Sequence, residues 1–192
     1  RAGRHAEAQS LYAQALEVAP RHADVLYLAG MLAVSDKRFA DGAELLGRLV
    51  AAHSEKATGH DGLGLALAGL GRFQEAVAAH ATAVARDPFV AGYRANLARA
   101  EHLSGDRAAA ARHYAAAVEL DPNLVSAWSN LGAVLRELGF NEDATIALRQ
   151  AITIDPRYVY AIANLGNSCR DVGLVEEAIA RYGEALAIDP DL

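Results

Sequence analysis

From residue 128 the chain reads WSNLGAVLRELG, with Trp128, Leu131 and Leu135 falling three and four residues apart. That spacing places them on one face of an α-helix. After Gly139 a second run places Ala144, Leu148 and Ala151 at the same kind of interval and ends at Pro156. Two amphipathic helices joined by a turn are therefore predicted here. Further on, IANLGNSCRDVG at 162–173 repeats the Asn, Leu, Gly and closing Gly after 34 residues.

The same interval runs through most of the chain. Pro88, Pro122, Pro156 and Pro190 are spaced by 34, and Pro20 lies twice that distance before Pro88, with Ser54 in the skipped position. Four of the five prolines follow an aspartate (Asp87, Asp121, Asp155, Asp189), a pairing suited to stopping one helix and starting the next. Gly3, Gly71, Gly105, Gly139 and Gly173 share one phase. Gly30, Gly64, Gly132 and Gly166 share a second, and Ala8, Ala76, Ala110, Ala144 and Ala178 a third. The predicted organisation is one all-α array over 1–192: a lone second helix at 1–22, then helix pairs at 23–56, 57–90, 91–124, 125–158 and 159–192.

Small residues have two tasks in this scheme. Gly132 and Ala144 are expected where the two helices of a pair cross, since glycine within a helix costs about 1 kcal/mol relative to alanine and needs a packing reason. Gly139 and its equivalents are expected to end the first helix in a left-handed conformation. The pair at 23–56 departs most from the pattern, with Lys37 for the turn glycine, Gly42 for the packing alanine and Ser54 for the proline. A looser join is expected there.

Composition agrees with a helical chain: 53% of residues are hydrophobic, mostly alanine, leucine and valine, and only 6% are aromatic. This favours closely packed helices over a sheet. A net charge of −6 argues against a polyanion-binding surface, and so against a nucleic-acid partner. Cys169 is the one cysteine. It allows no internal disulfide and no zinc framework, and it is compatible with a reducing, cytoplasmic location. No apolar run approaches the roughly 18 residues needed to cross a bilayer, so no membrane insertion is expected.

A 34-residue helix–turn–helix period with small residues at fixed phases and a terminal proline resembles the tetratricopeptide repeat. The resemblance implies a right-handed superhelical solenoid whose first helices line a concave groove. It also implies a protein-interaction scaffold that holds an extended peptide or partner segment, with no enzymatic activity and no cofactor of its own. Asn96, Asn130 and Asn164 share one groove-side phase, where Gly62 and Leu28 stand in the earlier pairs. Two accounts of them stand open: a side chain common at this position that bonds a neighbouring turn, or a ladder of carboxamides gripping a peptide backbone. The ladder, with phrases such as SNLG and ANLGN, resembles the arms of O-GlcNAc transferases and SPINDLY-type proteins. On that resemblance, the alternative function is a substrate-recruiting arm whose catalytic domain lies outside this chain. Asn167 joins the candidate groove set. Arg99, His102, Arg136 and Arg170 run beside it, with Glu137 and Asp171 following two of them. They form either ion pairs on a solvated face or a weakly basic stripe for an acidic ligand. The carboxylate clamp of chaperone-binding relatives has no counterpart, because Lys37 and Lys56 stand elsewhere.

Other constellations lead to no catalytic site. His60 and His80 occupy two helix-packing positions of one pair. They are expected as partly buried, hydrogen-bonded side chains rather than metal ligands, and Cys169 is expected in the core. No strand precedes the glycines and no Gly-Lys-Ser/Thr follows them, so there is no phosphate loop. The expected partner is a protein or peptide. Apolar faces at Leu11, Tyr12, Ile179 and Tyr182 are expected to favour end-to-end self-association.

Overall fold

The computed structural model describes residues 2–191; the side chains of residues 2–4 and 6 lie outside the described set, Gly3 of the turn phase among them. The described residues form helices α1 (Ala2–Val18), α2 (Ala23–Ser35), α3 (Phe39–Ala52), α4 (Ala57–Gly69), α5 (Phe73–Arg86), α6 (Ala91–Ser104), α7 (Arg107–Leu120), α8 (Val125–Glu137), α9 (Asn141–Ile154), α10 (Val159–Asp171) and α11 (Val175–Ile188). They fall into two compact units, Arg1–Ala100 and Glu101–Leu192, with the boundary inside α6.

In the first unit α2 packs on α3 and α4 on α5, and the first helices α2 and α4 also touch. Leu26, Leu46, Leu49 and Ala66 form one buried cluster, and Leu67, Ala76, Ala79 and Ala100 another. In the second unit α8 pairs with α9 and α10 with α11, while α8 and α10 lie side by side. Its core holds Leu148, Ala151, Ala161, Leu165, Cys169 and Ala178, with Trp128, Tyr158 and Tyr182 packed around them.

The small residues act as the sequence predicts. A Cβ placed on Gly132 would lie 2.5 Å from Leu148 Cγ and 3.0 Å from the Ala144 carbonyl oxygen. Only glycine allows the leucine to rest on the α8 backbone. The turns after the first helices are built alike: the Gly139 N–H bonds the Arg136 carbonyl and the Phe140 N–H bonds that of Leu135, with Gly139 at φ +85°. This is a left-handed termination that satisfies the last carbonyls of the helix. In the irregular pair, Lys37 adopts φ +60° and the same two hydrogen bonds form, from Lys37 to Val34 and from Arg38 to Ala33. The α2–α3 turn is thus closed by the same bonds, with a lysine in the glycine conformation.

The Asp-Pro pairs do more than punctuate. Asp87, Asp121 and Asp155 end α5, α7 and α9, and each accepts a hydrogen bond from the backbone N–H two residues on (3.4, 3.0 and 2.9 Å). The carboxylate closes a turn of its own around the proline.

Candidate functional site

On α8 the buried residues Ala127, Leu131, Gly132 and Val134 turn toward the core. The opposite stripe, Ser126, Asn130, Ala133 and Glu137, is only half-buried or exposed. The corresponding stripe on α10 is Tyr160, Asn164, Asn167 and Asp171. Because α8 and α10 pack together, the two stripes border one another. Asn130 and Asn164 occupy the same place on each helix, half-buried, and neither carboxamide has a hydrogen-bond partner among the described residues. Asn167 differs, since its Oδ1 accepts a 2.8 Å bond from the Tyr182 hydroxyl and so ties α10 to α11.

The charged residues at the helix ends are engaged. Arg136 Nη1 donates to Asp171 Oδ2 at 2.6 Å, linking α8 to α10, and Arg170 bonds the other oxygen of Asp171. His102 Nε2 and Arg107 Nε both donate to Glu137 Oε2, at 3.0 and 2.6 Å. The hydrogen bonds from Arg136 and Arg170 hold the Asp171 carboxyl below its ordinary pKa. Burial alone would raise Glu137, but the hydrogen bonds from Arg107 and His102 outweigh it and hold that carboxyl low as well. In the second unit the charged side chains beside the asparagines are therefore engaged in ion pairs, most of which bridge neighbouring helices, and Arg136 and Arg170 are not free cations.

In the first unit Asn96 has a partner. Its Nδ2 donates to both oxygens of Asp61, at 3.0 and 3.2 Å, and Asp61 Oδ1 also accepts from His80 Nδ1 at 2.8 Å. His80 is fully buried, with its ring lying on the backbone of Gly64, and its Nε2 has no partner among the described residues. Tyr93 lies near this group, and partial burial, followed by the charge of Asp61, raises its phenol pKa. Arg99, on α6, is exposed. Asp61 was not among the sequence candidates. The signal was partial: Asp61 is the one charged residue at a position that holds Tyr27, Ala95, Ser129 and Ala163 in the other repeats, and His80 stands where those repeats have Leu46, Tyr114, Leu148 and Tyr182.

His60 and His80 each have a separate partner, the Ser54 carbonyl for His60 (3.0 Å) and Asp61 for His80. Among the described residues no group of three or more His, Cys, Asp or Glu side chains could hold a metal ion. Cys169 is buried, as expected, and burial raises its thiol pKa. No helix among the described residues is long and apolar enough to cross a membrane.

Comparison with known proteins follows the repeat. Models described as tetratricopeptide repeat match residues 1–61, then 62–125 and 104–159, then 161–192. No curated protein sequence matches the chain. Among solved structures, MamA is 21% identical with a TM-score of 0.74, over 84% of this chain and 94% of its own. YrrB, a tetratricopeptide protein with an unusual peptide-binding site, is 20% identical with a TM-score of 0.73, over 94% and 93%. A thermophilic tetratricopeptide protein of Thermus thermophilus is 21% identical with a TM-score of 0.72, over 88% and 93%. At these identities the likeness shows the fold.

Proposed function

Because this chain belongs to the tetratricopeptide repeat family, we propose that it is a protein-recognition scaffold holding an extended peptide along its first helices, with the carboxamides of Asn130 and Asn164 gripping the peptide backbone. The observation that carries this reading is the contrast among three equivalent asparagines. Asn96 is already bonded to Asp61, whereas Asn130 and Asn164 stand half-buried on adjacent helices with neither donor nor acceptor used among the described residues. A carboxamide offers both functions. It therefore matches the N–H and C=O of a passing chain without reading its side chains. The peptide-binding site for which YrrB is described gives a precedent within the same fold.

Geometry sets a spacing for this contact. Packed helices lie about 8–10 Å apart, and an extended chain rises about 3.1 Å per residue. Asn130 and Asn164 should therefore meet peptide groups about three residues apart. The test starts from peptides selected on the protein from a random displayed library, whose amides are then N-methylated one at a time. Losses of affinity should recur about every third residue, and the double variant Asn130→Ala, Asn164→Ala should weaken binding roughly tenfold with the fold intact. Uniform tolerance of N-methylation, or unchanged affinity of the double variant, would remove the backbone-grip reading.

A further inference from the structure

The turns that end the first helices carry a second pattern. After Lys37 and after Gly71 the next residue is an arginine, paired with a carboxylate three residues on. Arg38 bonds Asp41 at 2.7 Å, and Arg72 bonds both oxygens of Glu75 at 2.6 Å. After Gly139 and Gly173 the carboxylates remain, as Asp143 and Glu177, but the arginines are replaced by Phe140 and Leu174. Both replacements stand in water, Phe140 at 55% and Leu174 at 51% exposure. Glu177 is in contact with the Cys169 thiol, but Asp143 and its neighbour Glu142 have no ion-pair or hydrogen-bond partner among the described residues. Gly139, Phe140, Asn141, Glu142, Asp143 and the exposed Val172 line an open cleft of about 460 Å³.

The helix dipole accounts for acidic residues in the first turn of α9. It does not account for a phenylalanine exposed where two earlier repeats place an arginine. A partner's arginine would supply what is missing: its guanidinium would take the carboxylate in the place held by Arg72 on Glu75 and lie against the face of the Phe140 ring, while an adjoining apolar side chain covered Val172. The neighbouring arginines do not compete, since Arg136 and Arg170 are both held by Asp171. From this we infer that the α8–α9 turn of the second unit is a docking site for a protein segment presenting an arginine beside an apolar residue. The inference is independent of the peptide-backbone reading above.

The test is fluorescence anisotropy with a fluorescein-labelled synthetic peptide of alternating leucine and arginine. Its affinity should fall roughly tenfold or more for Asp143→Asn, for Phe140→Ser, and for peptides with glutamine in place of arginine or serine in place of leucine. Phe140→Arg rebuilds within the chain the pair seen at Arg72 and Glu75, and it should abolish binding while preserving Tm. The site is overturned if the alternating peptide does not bind, if its glutamine version binds equally well, or if Phe140→Arg binds as the natural sequence does. Loss of binding in the Asn130→Ala, Asn164→Ala variant with full binding in Phe140→Arg would move the peptide to the first-helix face. A dimer in sedimentation that Phe140→Arg dissolves would give the cleft to a second copy of the chain. Either result also overturns the assignment.

Discussion

Gly132 and Gly47 are both helical glycines, and their surroundings decide opposite outcomes. A side chain on Gly132 would press on Leu148 and on the backbone oxygen of Ala144, whereas nothing lies within 4 Å of the Cβ position of Gly47. Removing glycine from a helix gains up to about 1 kcal/mol of intrinsic propensity. Overpacking a filled core costs about 1–3 kcal/mol. Gly132→Val should therefore lower stability by about 1–3 kcal/mol, and Gly47→Ala should raise it by up to about 1 kcal/mol, both read from urea midpoints. An unaltered midpoint for Gly132→Val would mean that the α8–α9 crossing is not the tight contact described here. The same crossing shows how one residue becomes legible from sequence: Gly30, Gly64, Gly132 and Gly166 each lie beneath a large side chain of the partner helix (Leu46, His80, Leu148, Tyr182), so a packing constraint repeats as a letter.

At the scale of the helix and its turn, one backbone conformation ends five first helices, and glycine supplies it in four of them. Lys37 is the exception, at φ +60°. A left-handed conformation costs a side-chain-bearing residue about 1–2 kcal/mol, part of which glycine returns through the entropy of its unfolded chain. Lys37→Gly should stabilise the protein by about 0.5–1 kcal/mol, and no rise in the denaturation midpoint would show that the α2–α3 turn is not strained. Helix order and turn chemistry were legible because each follows from a local rule repeated every 34 residues. The polar partnerships were not. Asp61 with Asn96, His102 with Glu137, and Arg136 with Asp171 each join residues 35 apart, one step beyond the repeat, so that partners fall out of phase with each other. A candidate list drawn by phase placed Asn96, Asn130 and Asn164 together. The carboxylate that separates them, Asp61, lies one position before Gly62 and engages only Asn96.

For the molecule as a whole, the net charge of −6 rests on carboxylates with unequal tasks. Two whose pKa values are lowered, Glu137 and Asp171, both lie in the second unit and both accept from cations on neighbouring helices. Each titrates lower in the folded protein than in the unfolded chain, so each stabilises the fold above the ordinary carboxylate range and loses that effect as pH falls through its folded-state value. Partial exposure and salt screening keep the contribution modest. Lowering pH from about 6 to about 3 should therefore weaken Glu101–Leu192 through these two links in addition to any general acid effect. Amide hydrogen exchange on α8 and α10 should report it as faster opening at acid pH. The double variant Glu137→Gln, Asp171→Asn should begin with lower protection, measured against the intrinsic exchange rate at each pH, and lose less of it on acidification, because it has no carboxylates at these two positions to protonate. If α8 and α10 in the variant lose as much protection on acidification as in the natural sequence, the acid sensitivity belongs to other carboxyls and the bridging pairs do not hold these helices together.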